Sequence, residues 1–249
     1  IKEIVADDEG NIWFSSQGNG IAVLRDQAFT FYEFERDTEV PEITALSLEP
    51  GNYWFGSDGL LFWLNGMNID NRRYYSTSSG LPDDQVISLY QDEENSVFIG
   101  TSSSGLFHIP GGKGPVRPYF RADNSLGNTI NDIAADDTYL WLATNNGVYR
   151  IRWSDREIAH YNTSTGLPHN VINDILIDRL GRVWIATRSG GIQSITEELA
   201  YRIDGNPKLE FVSLIEDEKG QIWAGTKEDG VFKFDRDTLE IFNPDNGLK

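Results

Sequence analysis

Short runs of alternating apolar and polar residues recur along the whole chain at a fixed interval. Each unit opens on an apolar pair: Ile1 and Ile4, Ile43 and Leu46, Val86 and Leu89, Ile130 and Ile133, Ile172 and Ile175, Phe211 and Leu214. Three positions on comes an acidic residue (Asp7, Glu49, Asp92, Asp136, Asp178, Asp217) and a turn rich in Gly, Asn and Asp. Short turns of that composition join antiparallel strands. The second run is an aromatic anchor strand, written NIWFSS, NYWFGS, SVFIGT, YLWLAT, RVWIAT and QIWAGT. Its anchors are Trp13, Trp54, Phe98, Trp141, Trp184 and Trp223, spaced 41, 44, 43, 43 and 39 residues apart. A third run follows a glycine: Gly20-Ile21, Gly59-Leu60, Gly105-Leu106, Gly147-Val148, Gly191-Ile192 and Gly230-Val231. The last carries an aromatic residue, at Phe34, Tyr75, Phe120, Tyr161, Tyr201 and Phe242.

Period-2 segments of this length predict strands, and the i, i+3, i+4 pattern of a helical array is missing. Four strands per unit of ~40–45 residues predict an all-β fold, a β-propeller of four-stranded antiparallel blades. Six blades fall near 1–40, 41–84, 85–128, 129–170, 171–208 and 209–249 of a single propeller covering residues 1–249. The repeats leave two forms open: six blades that close unaided, or part of a larger propeller, seven-bladed or double. The chain starts at Ile1 and not at Met, which reads as a piece excised from a longer protein.

Two positions refine the blade. The residue two past each anchor is small: Ser15, Gly56, Gly100, Ala143, Ala186, Gly225. Residues i and i+2 share a face of a strand, so a large ring beside a small residue lets a neighbouring sheet interdigitate. The six anchors are therefore expected in the core between blades. One residue further is always a hydroxyl (Ser16, Ser57, Thr101, Thr144, Thr187, Thr226), placed to bond the turn backbone.

With 21 Lys and Arg against 39 Asp and Glu, the net charge is −18, which disfavours nucleic acid and anionic membrane surfaces as partners. Cysteine is absent, so there are no disulfides and no thiolate chemistry. No apolar run is long enough to span a bilayer; a membrane link would come through segments outside this chain.

The repeat resembles the two-component regulator propeller repeat: two apolar residues, Asp, a Gly-rich turn, a Trp-Ile-Gly-Thr-like strand and a Gly-Gly-Leu-like turn. The clearest copies are INDILIDRLGRVWIATRSGGI at 173–192 with Ile172 in front, and VSLIEDEKGQIWAGTKEDGV at 212–231; the GLP segments at 80–82 and 166–168 match as well. The resemblance implies the periplasmic sensor region of a bacterial hybrid two-component histidine kinase, often linked to glycan use, with the kinase outside this chain. Two blades depart from the pattern. Blade 2 shortens its turn in NYWFGSDGLLFWL at 52–64, and blade 3 has Phe98 for Trp and an insertion, IPGGKGPVRPY at 109–119, expected to project from the rim.

No catalytic constellation stands out. His108, His160 and His169 are scattered without metal-ligand spacing, so no metal and no cofactor is expected. The recurring acidic residues read as turn residues whose side chains bond their own backbone. Function is expected where repeats differ. The loops joining strands 2–3, and strand 4 to the next strand 1, share one face and vary from blade to blade. Candidate ligand-binding residues there are Arg188, Lys227, Asn145, Asn146, His169, Asn170, Asp83 and Asn128, with Asp84 in the same loops. Amide, hydroxyl and cationic donors of this kind read hydroxyl-rich or carboxylated ligands, and Arg188 and Lys227, on adjacent blades, can jointly meet an anion. The reading is a non-enzymatic sensor binding an oligosaccharide or other small ligand and self-associating through the sensor region. The alternatives are a protein–protein or dimerisation scaffold and, less favoured, a propeller lyase or glycan hydrolase.

Overall fold

A computed structural model describes residues 4–7, 10–15, 20–26, 28–32, 42–66, 71–195, 200–201, 209–235 and 238–244. Among the described residues twenty-four strands form six four-stranded antiparallel sheets, each a meander in chain order, which is the blade of a β-propeller. Blade 1 comprises β1 (Ile4–Ala6), β2 (Ile12–Ser15), β3 (Ile21–Arg25) and β4 (Ala28–Tyr32). Blade 2 comprises β5 (Ala45–Glu49), β6 (Asn52–Gly56), β7 (Leu61–Asn65) and β8 (Arg72–Tyr75). Blade 3 has β9 (Val86–Gln91), β10 (Val97–Thr101), β11 (Leu106–Ile109) and β12 (Arg117–Phe120). Blade 4 has β13 (Ile130–Ala135), β14 (Tyr139–Thr144), β15 (Gly147–Arg152) and β16 (Ile158–Tyr161). Blade 5 has β17 (Ile172–Ile177), β18 (Val183–Thr187), β19 (Ile192–Ser194) and β20 (Ala200–Tyr201), and blade 6 has β21 (Phe211–Glu216), β22 (Ile222–Thr226), β23 (Val231–Asp235) and β24 (Thr238–Phe242). The chain divides into two compact units, Ile1–Ile130 and Asn131–Lys249.

The core lies between blades, as the large-beside-small pattern predicts. In the first unit Trp13 is fully buried against the next blade, its ring 4.8 Å from Tyr53 and 5.9 Å from Phe55. Trp54 packs with Val86, Val97, Ile99 and Ile109 of blade 3. In the second unit Trp141 packs with Ile172, Ile175 and Ile185 of blade 5, and Trp184 with Phe211, Ile222 and Phe232 of blade 6. Trp223 is part-exposed and stacks on Phe242 of its own blade at 5.4 Å. Close approach explains the small residues. A Cβ at Gly56 would lie 2.4 Å from Val86 Cγ1, and one at Gly100 2.0 Å from Ser88 Oγ and 2.9 Å from the Ile130 carbonyl.

Four of the anchors are also clasped from their own turns. Asp7, Asp178 and Asp217 accept the indole N–H of Trp13, Trp184 and Trp223 at 2.7, 2.8 and 2.9 Å while their other oxygen accepts turn N–H groups; Asp136 does the same for Trp141 at 3.3 Å. At the other end of the strand the repeated hydroxyl closes the next hairpin. Thr101, Thr144, Thr187 and Thr226 donate to the carbonyls of Gly105, Gly147, Gly191 and Gly230 at 2.7–2.8 Å.

The first strands are stitched to those of the following blade. Thr44 donates to Val86 O and Ser88 to Ile130 O in the first unit; Asn131 donates to Ile172 O and Asn173 to Phe211 O in the second. Ile87, Asn173 and Val212 are extra residues in the β9–β10, β17–β18 and β21–β22 ladders. Such bulges re-aim a side chain out of the ladder, here turning Asn173 onto the next blade.

Three sequence landmarks move. In blade 2 the register pairs Gly56 with Leu61, where the other blades pair the equivalent small residue with the apolar residue after the glycine; Leu61 takes the place assigned to Leu60. In blade 1 Tyr32 pairs with Ile21, as Tyr75 pairs with Leu61, while Phe34, Ser16 and Ile1 lie outside the described residues. The insertion at 109–119 is exposed along most of its length but is pinned at one point. Val116 is buried and its N–H donates to Ser79 O at 2.8 Å, because this apolar residue finds cover in blade 2 that solvent would not give.

Candidate functional site

The loop face is built by the same hairpins. In each of blades 3, 5 and 6 the residue after the hydroxyl donates its N–H to the carbonyl just before the first strand: Ser102 to Gln85, Arg188 to Val171, Lys227 to Glu210. These three loops thus share one backbone bond, and their side chains supply the differences.

Arg188 and Lys227 are brought together, but on a shared carboxylate. Arg188 Nε lies 3.5 Å and Lys227 Nζ 3.3 Å from the two oxygens of Glu210, which sits directly before β21. Both cations are more than half exposed, at 54% and 63%. Asn145 Oδ1 accepts from Asn131 Nδ2 at 3.0 Å, next to the inter-blade bond that Asn131 makes to Ile172 O. Asn146 Nδ2 reaches the Tyr149 hydroxyl at 3.3 Å, and its carbonyl accepts from His160 Nε2 at 2.6 Å. A carbonyl only accepts, so that nitrogen carries the His160 proton. Asn170 Oδ1 caps the backbone of Thr163 at 2.8 Å, and its carbonyl accepts from Gly147, linking this loop to the Asn145–Asn146 hairpin.

His169 Nδ1 accepts the Val171 N–H at 3.0 Å, an ordinary turn bond. Asn128 is 4% exposed, with its amide spent on Ala122 and Asn124; it staples the loop before β13 and offers a ligand no free group. Asp83 is exposed beside Gly59. Its neighbour Asp84 receives the Ser102 hydroxyl, the Ser103 N–H and hydroxyl, and the Ser104 N–H. Burial alone would raise its pKa, but these serine hydrogen bonds outweigh that and hold the carboxyl at about 2.

Sequence reasoning missed a carboxyl pair. Asp132 on β13 and Asp174 on β17 occupy the same place in two INDI segments and are hydrogen-bonded to each other. Burial first, and then the Asp174 charge, push the Asp132 carboxyl well above its ordinary value. Each acid also accepts an N–H of the following blade: Ile175 to Asp132 at 3.0 Å, Leu214 to Asp174 at 2.5 Å. The repeated Asn-Asp dipeptide was the available signal. Chemically the pair joins strands: the Asn donates to the next blade and the Asp accepts from it. Among the described residues, no group of three or more His, Asp or Glu is placed to hold a metal ion.

Comparisons with known proteins agree with this architecture. The chain's fold is similar to the extracellular domain of the hybrid two-component system BT3049 from B. thetaiotaomicron (19% identity, TM-score 0.69) over 99% of this chain and 41% of that one. It is similar to the corresponding domain of BT4673 from the same organism (20% identity, TM-score 0.74) over 98% of this chain and 33% of that one. The chain thus spans well under half the length of both. A streptogramin B lyase shares the fold over 100% of this chain and 83% of its own, at 17% identity and a TM-score of 0.82. A search of curated proteins by sequence finds no significant match. Among the described residues no helix is long and apolar enough to cross a membrane. Residues 80–103 and 166–189 match the model of the two-component regulator propeller, and each match runs from a GLP segment through the first two strands of a blade. Those two segments are therefore similar to the two-component regulator propeller repeat.

Proposed function

We propose that this chain is a non-enzymatic sensor module of an extracytoplasmic, periplasmic receptor in a hybrid two-component system, with the histidine kinase outside this sequence. Its ligand is an oligosaccharide or other small hydroxyl-rich or carboxylated molecule, and the sensor region self-associates. The observation that carries this reading lies in the loops after the second strands: in blades 3, 5 and 6 one shared backbone bond displays Ser102, Arg188 and Lys227 in turn, with blades 3 and 5 lying in the segments that match the two-component regulator repeat. At Glu210 two exposed cations from neighbouring blades share one carboxylate. A ligand carboxylate competes with Glu210 for both, and so changes the tie between blades 5 and 6. Signalling then needs only that the ligand favour one of two arrangements over the other. The Asp132–Asp174 pair does not argue for hydrolysis, since its oxygens are occupied by each other and by backbone N–H groups, leaving no base poised beside a free site.

The test is thermal stability of the intact extracellular region against a panel of oligosaccharides. A saturable rise for one ligand, lost in Arg188→Ala or Lys227→Ala, is the expected result. A rise that survives both changes moves the site off this face. Concentration-dependent dimerisation with no ligand response would instead favour a scaffold.

A further inference from the structure

The two blades that depart from the repeat face each other. In blade 2 the register runs Trp54–Trp63–Arg73 across β6, β7 and β8. The residue paired with the anchor at the place of Trp63 is Val23, His108, Arg150, Ser194 and Lys233 in the other blades. Trp63 thus adds a second indole outside the buried anchor, 6.2 Å from it between centroids, with the Arg73 guanidinium 4.8 Å over its ring. Across from it lies the start of the blade 3 insertion, Gly111 to Lys113. Between them is a cavity of about 260 Å³. It opens at the end of the blades made by the strand 1–2 and 3–4 turns, opposite the loop face.

Its polar wall is assembled from both blades. Asn95, held in left-handed geometry at φ 62°, accepts with one oxygen from Asn52 at 3.3 Å and Gln91 at 3.1 Å. Gln91 is 7% exposed, and its Oε1 has no hydrogen-bond partner. Buried polar atoms are almost always paired, so such an orphan marks a place where a bond is waiting to be made. Gly112 lies so close to Asn95 that an added Cβ would come 2.9 Å from its carbonyl, which keeps the cavity wall thin. Among the described residues neither Arg73 nor Lys113 has an ion-pair partner.

From this arrangement we infer that the cavity between blades 2 and 3 binds an acidic sugar unit, a uronate at the end of or within a saccharide. The volume is just below the ~300 Å³ at which drug-sized sites begin, which suits one sugar ring. The ring's apolar face rests on Trp63. Arg73 and Lys113 meet the carboxylate through charge-assisted bonds. Gln91 Oε1 and the Asn52 amide take hydroxyls. The inference rests on the ligand-binding reading above but sets a different face and a narrower ligand class.

Calorimetry and tryptophan fluorescence on the intact chain decide it, with digalacturonate and a glucuronate-terminated disaccharide against neutral disaccharides of the same linkage, and inorganic sulfate as a further probe. The uronates should bind saturably and about tenfold or more tighter than the neutral sugars, weaken as salt rises, and quench or shift tryptophan emission. Arg73→Met and Lys113→Met should each lower that affinity about tenfold with the circular dichroism unchanged, and Lys219→Met, at an exposed cation in the β21–β22 turn of blade 6, should leave it intact. Equal binding of neutral and acidic sugars, or uronate affinity untouched by Arg73→Met and Lys113→Met, overturns the inference. So does sulfate binding without uronate binding. Saccharide binding lost in the Arg188 and Lys227 variants alone sinks this site and leaves the sensor reading standing; no response to any saccharide sinks both.

Discussion

At the scale of single residues, the acidic position of the repeat is where chemistry and fold meet. Asp178 is buried, accepts from Trp184, Arg182 and two turn N–H groups, and is paired with the Arg182 guanidinium at 2.6 Å. Burial pulls its pKa up, but the Trp184 bond and the Arg182 contacts prevail, so it stays below the ordinary value. Removing a carboxylate so fully engaged strands several donors. Asp178→Ala should therefore cost about 3 kcal/mol in urea unfolding, against about 1–2 for Trp184→Phe, which loses one hydrogen bond and little packing. A Trp184→Phe loss equal to that of Asp178→Ala would mean the indole, not the carboxylate, organises the turn. Blade 3 shows what the clasp is not needed for: Phe98 has no N–H to give, and Asp92 still holds its turn through Ser96 at 2.7 Å.

At the scale of elements, blade spacing is set by what the first strands lack and what they donate. Gly100 has no room for a methyl, since one obstacle is the Ile130 backbone and cannot rotate away. Gly100→Ala should lower stability by about 2–3 kcal/mol, while Gly10→Ala, in an open turn, should show only the smaller strain of its φ of 81°. The Asp132–Asp174 pair gives a second expectation. Asp132 has a raised folded pKa, so the folded state holds that proton longer than the unfolded chain does. Its share of stability is complete below the ordinary carboxyl pKa and is lost as pH rises toward the raised value. Asp132→Asn supplies a permanent N–H toward Asp174 and keeps an oxygen for Ile175. Its unfolding midpoint should match the parent at about pH 4 and exceed it at neutral and higher pH. A variant less stable at every pH would show that the pair is ionised and needed as such.

For the whole molecule the opposite sign dominates on the acid side. Asp84, Asp155, Asp178 and Asp217 all have depressed folded pKa values, Asp84 at about 2. Such groups stabilise fully above the ordinary carboxyl pKa, and that stability drains away as pH falls through their folded values. Acid unfolding should therefore begin below about pH 4, and Asp84→Asn should blunt it by releasing the Ser102–Ser104 hairpin from titration. An acid limb unchanged in that variant would remove Asp84 from the explanation. The net charge of −18 acts beside this: added salt should raise stability near neutral pH by screening self-repulsion.

The sequence by itself determined the blade count, the four-strand meander, five buried anchors and the threonine hydroxyl that closes the hairpin in blades 3 to 6, because each depends on residues near in sequence that recur in phase. Trp13, Gly56 and Thr187 could be assigned from their neighbours alone. Contacts between blades, about 40 residues apart, were decided by tertiary structure. Nothing local says that Asn173 reaches the Phe211 carbonyl, that Asp132 meets Asp174, or that Glu210 lies between Arg188 and Lys227. Asn128 shows the same limit from the other side, its loop position being plain in sequence and its burial not. The cavity between blades 2 and 3 was half legible. Trp63 and the 109–119 insertion were visible as departures from the repeat, but only packing one sheet against the next set them across 260 Å³ from each other.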